Sequence, residues 1–312
     1  MKLLIAGGTG FIGRHLIHTL LDEGADITIV GRDVKKIQNY FSARVNSVNW
    51  NELTNLDPNN FDAIINLAGE NIGNKRWSAR VKLIIKESRI HATESIIQWC
   101  KQITKPLTLY NASAIGIYGL KPPSNSNQAF TEETDIDWGH PTDFLSEVGQ
   151  TWEQAARNNH NPLLHIVFLR FAPVLHRSEG VLKKMLPLFK LGLGGPIGNG
   201  KQAFSWIHLY DAVRAIQFLL NNPNILGPFN ICSPNWVTQR QFAKTLGQAL
   251  HRPAIMPTPA WILKLMFGQM ADELLLSGQA VLPQRLTQHQ FAFLYPTLEK
   301  ALAAEGHSLT SS

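Results

Sequence analysis

An apolar run from Lys2 to Ala6 leads straight into Gly7-Gly8-Thr9-Gly10-Phe11-Ile12-Gly13, and a helix-like pattern follows at once. A segment so rich in glycine is neither strand nor helix; it is a tight turn in which backbone approaches backbone or ligand without Cβ atoms in the way. The spacing satisfies G-x-G-x-x-G from Gly8 and G-x-x-G-x-x-G from Gly7. Set between a strand and a helix, such a turn aims N–H groups at the positive end of the helix toward a pyrophosphate. A dinucleotide site built on Gly7, Gly10 and Gly13 is therefore expected.

The end of the next strand discriminates between dinucleotides. An acid about 20 residues after the glycines holds a ribose 2′-hydroxyl, whereas an arginine accommodates a 2′-phosphate. Here the strand closes Ile29-Val30-Gly31-Arg32, without the acid. NADP(H) is the expected cofactor, with Gly31 and Arg32 at its adenosine end. The competing reading makes Arg32 a solvated turn residue and gives the ribose to Asp33.

Strand-like runs recur at Lys2–Ala6, Asp26–Val30, Asp62–Leu67, Pro106–Asn111 and His165–Phe171, separated by helix-like segments at Phe11–Glu23 and Ser78–Lys101. That alternation predicts an α/β chain, a Rossmann doubly wound parallel sheet with helices on both faces. In the second helix Val81, Ile84, Ile85 and Ile96 are expected inward, and Arg80, Lys82, Lys86 and Arg89 outward. Phe204–Leu209, a helix over Asp211–Leu220 and a strand at Phe229–Cys232 are expected to resume the core. Thr238 is expected to cap a helix through Leu250, followed by short apolar helices. With 312 residues against a prior of roughly 150 per domain, the reading is a dinucleotide-binding domain over 1–232, with a cap insertion near 176–203, and a smaller, mainly helical C-terminal domain over 233–312.

The formal charge of +6 with a pI near 9.3 favours anionic partners. No long basic run exists, so a nucleotide is expected and a nucleic acid is not. Cys100 and Cys232 show no CxxC or Cys/His spacing, so no metal site or disulfide is expected and both read as buried thiols. The first apolar run ends at Ala6, too short for an export signal core. The longest stretch free of Asp, Glu, Lys and Arg, Ala215–Gln239, is broken by Asn, Pro and Gly. No membrane partner and a cytoplasmic setting are expected.

The chain resembles the extended short-chain dehydrogenase/reductase superfamily and its nucleotide-sugar epimerases. More narrowly it resembles a bacterial epimerase-like family with a short C-terminal domain, found also as a single-member human branch, whose names range from sugar epimerase to cell-division inhibitor. The resemblance rests on GGTGFIG (7–13), NLAGENI (66–72), SAIGIYG (113–119), LGLGGPIGNGKQAFSWIHLYD (191–211) and LLLSGQAVLPQRL (274–286). It implies that Thr9, Phe11 and Ile12 contact the pyrophosphate, that Leu67, Ala68 and Glu70 pass beneath ribose and nicotinamide, and that Arg76 adds a phosphate contact. For Leu67 and Ala68 the alternative is simply the end of a buried strand.

In that superfamily Ser or Thr works with Tyr-x-x-x-Lys, the lysine lowering the tyrosine pKa for proton exchange. The five tyrosines here, Tyr40, Tyr110, Tyr118, Tyr210 and Tyr295, are followed four places on by Arg44, Ala114, Pro122, Arg214 and Glu299, so the motif is missing. The helix that should carry it begins Phe144-Leu145-Ser146-Glu147-Val148, with an apolar pair at the two positions. The remaining catalytic candidates are Ser113, one place off its usual spacing from Tyr118, Tyr118 itself, and Glu147, with Glu70 as a further titratable group. Ser113 also reads as a strand-end cap, Tyr118 as a packed ring and His208 as a core histidine. The glycine-dense loop from Gly192 to Gly200 reads as a flap at the substrate mouth or as an irregular crossover, and Trp206 and Trp261 as pocket lining or core. Two functions stay open: an NADP(H)-dependent oxidoreductase or epimerase acting on a nucleotide-sugar or other carbonyl or carbinol substrate, or an NADPH-binding regulator whose catalytic dyad has been lost. A monomer and a homodimer are both compatible.

Overall fold

Strand β1 (Lys2–Ala6) is buried from Leu3 onward, as a strand covered on both faces must be. The structure, a computed structural model, describes residues 1–120 and 129–306; residues 307–312 of the expected C-terminal unit lie outside it. Around β1 lie β2 (Asp26–Gly31), β3 (Asn46–Asn49), β4 (Ala63–Asn66), β5 (Leu107–Ala114) and β6 (Leu164–Phe171). After the short strands β7 (Val174–His176), β8 (Ala203–Phe204) and β9 (Ile207–His208) comes β10 (Gly227–Ile231). The seven-stranded sheet has the order β10-β6-β5-β4-β1-β2-β3 and is parallel throughout. The order reverses between β1 and β4, so their carboxyl ends open the crevice where such sheets bind ligands.

Helix α1 (Phe11–Asp22) buries Gly13, Leu16, Ile17 and Leu20 against one face of the sheet, beside α6 (Leu209–Leu220). The other face is covered by α3 (Ala79–Trp99), whose Ile96 and Trp99 join Leu4, Ile64 and Leu109 in a second core. Helix α2 (Val34–Phe41) starts at Asp33, whose carboxylate accepts the Lys36 N–H, and α3 at Ser78, whose hydroxyl accepts that of Val81. Each supplies an acceptor to an otherwise orphan amide. Helix α4 (Phe144–Arg157) lies beside α3.

Beyond the sheet, α5 (Gly180–Lys190), α7 (Gln239–Ala249) and α11 (Leu298–Gly306) share a third core around Trp206 and Phe242. Between α7 and α11 run α8 (Ala260–Phe267), α9 (Gln269–Ala271), a π-helical turn at Asp272–Leu276 and α10 (Gln284–Gln288). Thr238 caps α7 in a reciprocal capping box with Gln241, at the position its sequence assigns.

Three expectations are corrected. The segment 204–209 does not rejoin the large sheet, because β10 already occupies the edge of β6. It is split into β8, paired with β11 (Val237–Thr238), and β9, paired with β7. The strand β3 was not anticipated: Asn46-Ser47-Val48-Asn49 is polar because it forms the outer edge of the sheet. In α3, Ile84 is 42% exposed, whereas Arg89 points inward, Nη1 donating to the Ile85 and Glu70 carbonyls at 2.8 and 3.0 Å. The flank of α3 that meets α4 combines the apolar Ile85 with Lys86 and Arg89, which reach Glu147 and Trp152 of α4 rather than solvent alone.

Candidate functional site

The glycine turn fills the mouth of the crevice. Gly7 has φ +78, and a Cβ on it would lie 2.5 Å from the Leu67 carbonyl carbon and oxygen. A Cβ on Gly13 would lie 2.4 Å from the Gly7 oxygen, and one on Gly10 3.1 Å from it. Side chains are thus excluded where β1 and β4 end side by side. Gly10 N–H donates to Gly7 O at 2.9 Å and Arg14 N–H to Gly10 O at 3.0 Å. No side chain caps α1 and its first turn holds no acid, so the Phe11, Ile12 and Gly13 amides keep their hydrogen-bonding capacity for an anion. The cradle fits a dinucleotide pyrophosphate.

The floor of the crevice is set by amides and one arginine. Asn66, fully buried, donates to Asn111 Oδ1 at 2.7 Å and accepts the Ala68 N–H at 3.1 Å, fixing how Leu67 and Ala68 leave the sheet. Ser88 accepts the Glu70 N–H at 3.0 Å. Arg89 stacks over Trp152 at 4.8 Å; burial lowers its pKa to about 10, Glu70 opposing the shift. The Glu70 carboxylate faces Arg32 across β1, Oε2 to Nη2 3.8 Å, with the Arg32 side chain 84% exposed. Two cofactor candidates from different strand ends are thereby brought together. Arg76 instead lies against Gly268, where an added Cβ would be 3.4 Å from its Nη2.

The catalytic candidates scatter. Ser113 is buried and donates to Glu153 Oε1 at 2.8 Å. The Tyr118 hydroxyl accepts from Arg170 Nη1 at 2.9 Å and donates to Asn230 Oδ1 at 2.8 Å. Burial pushes the phenol up to about 12, against the pull of Arg170. Both hydroxyls are held by internal partners. Phe144 and Val148, the apolar pair at the two positions where the resemblance led a tyrosine and a lysine to be expected, pack with Trp77, Ile85 and Met270. Glu147, next to Val148, meets Lys86 of α3 at 2.5 Å. His208 is a core histidine, Nε2 3.0 Å from Glu305 and Nδ1 accepting the Tyr210 N–H. Trp206 is fully buried and Trp261 is 68% exposed. The Gly192–Gly200 loop packs closely against the segment before α8: Met256 N–H donates to Gly194 O, and a Cβ on Gly195 would lie 2.2 Å from the Met256 oxygen.

Sequence reasoning missed Arg89, Glu153, Arg170 and Glu273. Glu273, buried on the π-helical turn, accepts the Leu145 N–H at 3.0 Å and so ties the C-terminal region to the first turn of α4. The legible signal was a lone arginine in the apolar strand LHIVFLRF, which needs a buried counter-charge. Among the described residues no His, Cys, Asp and Glu side chains converge as metal ligands, and no helix is long and apolar enough to cross a membrane.

Comparison with known proteins agrees with this geometry. The model of the NAD dependent epimerase/dehydratase family matches residues 3–232, and a domain of unknown function, DUF1731, matches residues 258–305. An epimerase family protein of Staphylococcus haemolyticus is 37% identical over 96% of this chain and 97% of its own length. One from Bacillus subtilis is 34% identical over 97% of each. The crystal structure of human epimerase family protein SDR39U1 with NADPH superposes with a TM-score of 0.87 at 31% identity, covering 98% of this chain and 99% of that one. UDP-glucuronic acid 4-epimerase of Bacillus cereus, in complex with UDP-glucuronic acid and NAD, shares the fold at 18% identity, with a TM-score of 0.76 over 100% of this chain and 99% of that one.

Proposed function

The chain belongs to the NAD-dependent epimerase/dehydratase family, and from that premise we propose that it binds NADP(H) at the carboxyl ends of β1, β2 and β4 and acts on a carbonyl or carbinol substrate, a nucleotide-sugar among the candidates. The observation that carries the cofactor choice is the end of β2: the Arg32 guanidinium is exposed, and the neighbouring Asp33 carboxylate is engaged at 2.9 Å in capping α2. An available guanidinium in that position suits a 2′-phosphate. The human relative crystallised with NADPH supports the same choice. Titration calorimetry with NADPH and NADH tests it: tighter NADPH binding is expected, and equal affinities would remove the argument.

When bound, the nicotinamide supplies or accepts the hydride. The chain's own residues then bind, orient and move protons. The Gly7–Gly13 turn and the amides of Thr9, Phe11 and Ile12 hold the pyrophosphate, while Gly31 and Arg32 hold the adenosine end. Leu67, Ala68 and Glu70, with Arg89 behind them, form the wall beneath ribose and nicotinamide. Glu147, positioned by Lys86, is the titratable side chain beside the apolar Phe144/Val148 pair and is proposed as the proton-transfer group. The same reading separates a dinucleotide-binding domain, 1–232, from a substrate-facing unit beginning at Ser233, in a cytoplasmic protein.

One observation favours the second function, an NADPH-binding regulator. Met270 and Trp77 close over Phe144 and Val148, and the Ser113 and Tyr118 hydroxyls are already bonded. A stoichiometric change in NADPH fluorescence without oxidation across a broad carbonyl panel would select the regulator; turnover abolished by Glu147→Gln would select the enzyme.

A further inference from the structure

Between Glu179 and Asp272 the chain carries a single acid, Asp211, which is 1% exposed and paired with Arg214. This stretch therefore contributes cations to the surface and almost no acids, and it also carries large apolar side chains facing solvent. Leu188 and Leu191, at the end of α5, are 54% and 73% exposed, and Ile255 is 79% exposed. On α8, Trp261 and Leu265, one turn apart on the same face, are 68% and 71% exposed. The segment that leads into α8 is tied to the chain that leaves α5, which brings these groups into one region: the Arg252 side chain donates from Nε to Lys190 O at 3.0 Å, and the backbone donates from Met256 N–H to Gly194 O at 3.2 Å and from Thr258 N–H to Pro196 O at 2.9 Å. The chain then enters α8 through Pro259.

Helix geometry places Lys184, Leu188 and Leu191 along one face of α5, and sets Lys264 beside Leu265 on α8. Lys183, Lys190 and Arg252 are exposed along the same stretch. Lys264 is matched by Asp272 at 2.8 Å; the other three have no acid in this part of the sequence to meet. Exposed apolar surface of this extent on a soluble fold marks an interaction site. A ridge of Leu, Ile and Trp bordered mainly by cations, with Asp272 the acid that meets Lys264, is the pattern of a surface lying in a lipid–water interface, with its apolar side chains among acyl chains and its Lys and Arg at anionic headgroups. A nucleic acid would meet interleaved aromatic and basic groups instead.

We propose that the α5–α8 ridge docks this protein on the surface of an anionic lipid bilayer, lying on the membrane without spanning it. The expectation of no membrane partner then holds only for spanning. Attachment rests on aliphatic insertion together with charge, so both terms are separately removable.

Co-sedimentation of the full chain with phosphatidylcholine vesicles, with and without phosphatidylglycerol, tests this. Retention is expected on the phosphatidylglycerol vesicles alone and is expected to weaken with added salt. The double variant Ile255→Glu, Leu265→Glu should lose about tenfold or more in vesicle affinity, while its NADPH titration and thermal unfolding match the wild type. Both positions are solvent-exposed and neither is among the residues assigned to the cofactor, so failure of docking and failure of the cofactor reading are separate outcomes. No retention on anionic vesicles, or equal retention of wild type and variant, would overturn the proposal. So would a solution dimer that the double variant dissociates without any vesicle affinity, since the ridge would then be an interface between copies.

Discussion

Arg170 Nε donates to Glu153 Oε1 at 2.7 Å and its Nη2 to Oε2 at 2.9 Å, with both side chains sealed from solvent. The pair joins β6 to α4 beneath the crevice and holds the two hydroxyls that the sequence nominated for chemistry: Ser113 donates to Glu153, and Arg170 donates to Tyr118. Removing one partner leaves the other charge buried and unmatched. Glu153→Ala is expected to lower stability by about 3–5 kcal/mol, and the double variant Glu153→Leu, Arg170→Met to lose less than that single change. Urea unfolding of both variants provides the comparison; a loss for the single variant below about 1 kcal/mol would show the pair to be energetically idle.

Arg32→Asp should reverse cofactor preference. Among the described residues the arginine meets Glu70 alone, at 3.8 Å, and that exposed pair contributes little to folding. Its proposed partner is a phosphate, and a charge-assisted hydrogen bond of about 1.5–3 kcal/mol corresponds to roughly ten- to hundredfold weaker NADPH binding. The introduced carboxylate should accept a ribose hydroxyl and strengthen NADH. Calorimetric titration of both coenzymes measures this, and unchanged NADPH affinity would discard the role of Arg32.

Gly13→Val tests the turn. Its first added atom would sit 2.4 Å from the Gly7 oxygen and 3.0 Å from the Gly8 Cα, so the loop must shift rather than a flexible side chain. Overpacking of this kind costs about 1–3 kcal/mol, enough to lower the melting temperature while leaving the fold. Dinucleotide binding should be lost altogether, because the turn's amides are displaced from the pyrophosphate. Retained tight NADPH binding by a folded Gly13→Val protein would contradict the assignment.

The β1–turn–α1 unit was readable almost to the residue, because glycines at a fixed spacing admit few backbones and α1 begins at Phe11 as its periodicity requires. Thr238 was readable as a cap for the same local reason. What escaped depended on neighbours distant in sequence. Arg89 reads as solvated on its own helix and becomes internal only once α4 supplies Trp152. Asn46–Asn49 is a strand by virtue of β2 alone. The hydroxyl of Ser113, nominated from the sequence, illustrates the limit of motif reading. Successive strand residues face opposite sides of a sheet, so a one-place offset sends Ser113 to Glu153 instead of the face that Ala114 occupies.

Acid should destabilise the protein in two stages, through the cluster that ties α11 to the cofactor half. Glu305 lies 3.0 Å from His208 Nε2 and 3.9 Å from His176 Nε2, and the His176 ring is 5.3 Å from that of His15 on α1. Burial holds the His176 pKa below the ordinary 6.5, Glu305 opposing. For Glu305, burial acts upward, but the His208 hydrogen bond and the Arg177 N–H outweigh it and bring the carboxyl below the ordinary 4.5. Both groups therefore titrate lower in the folded chain than in the unfolded one, so the unfolded state binds more protons and stability rises with pH. Their contributions are present above the unfolded values and are lost as pH falls, His176 first from 6.5 downward, then Glu305 from 4.5 downward. Melting temperatures across a pH series should decline in that order. His176→Gln should flatten the upper stage and Glu305→Gln the lower, the latter at a stability cost already visible at neutral pH. A wild-type melting temperature that stays level through both stages would show that the cluster does not couple protonation to folding.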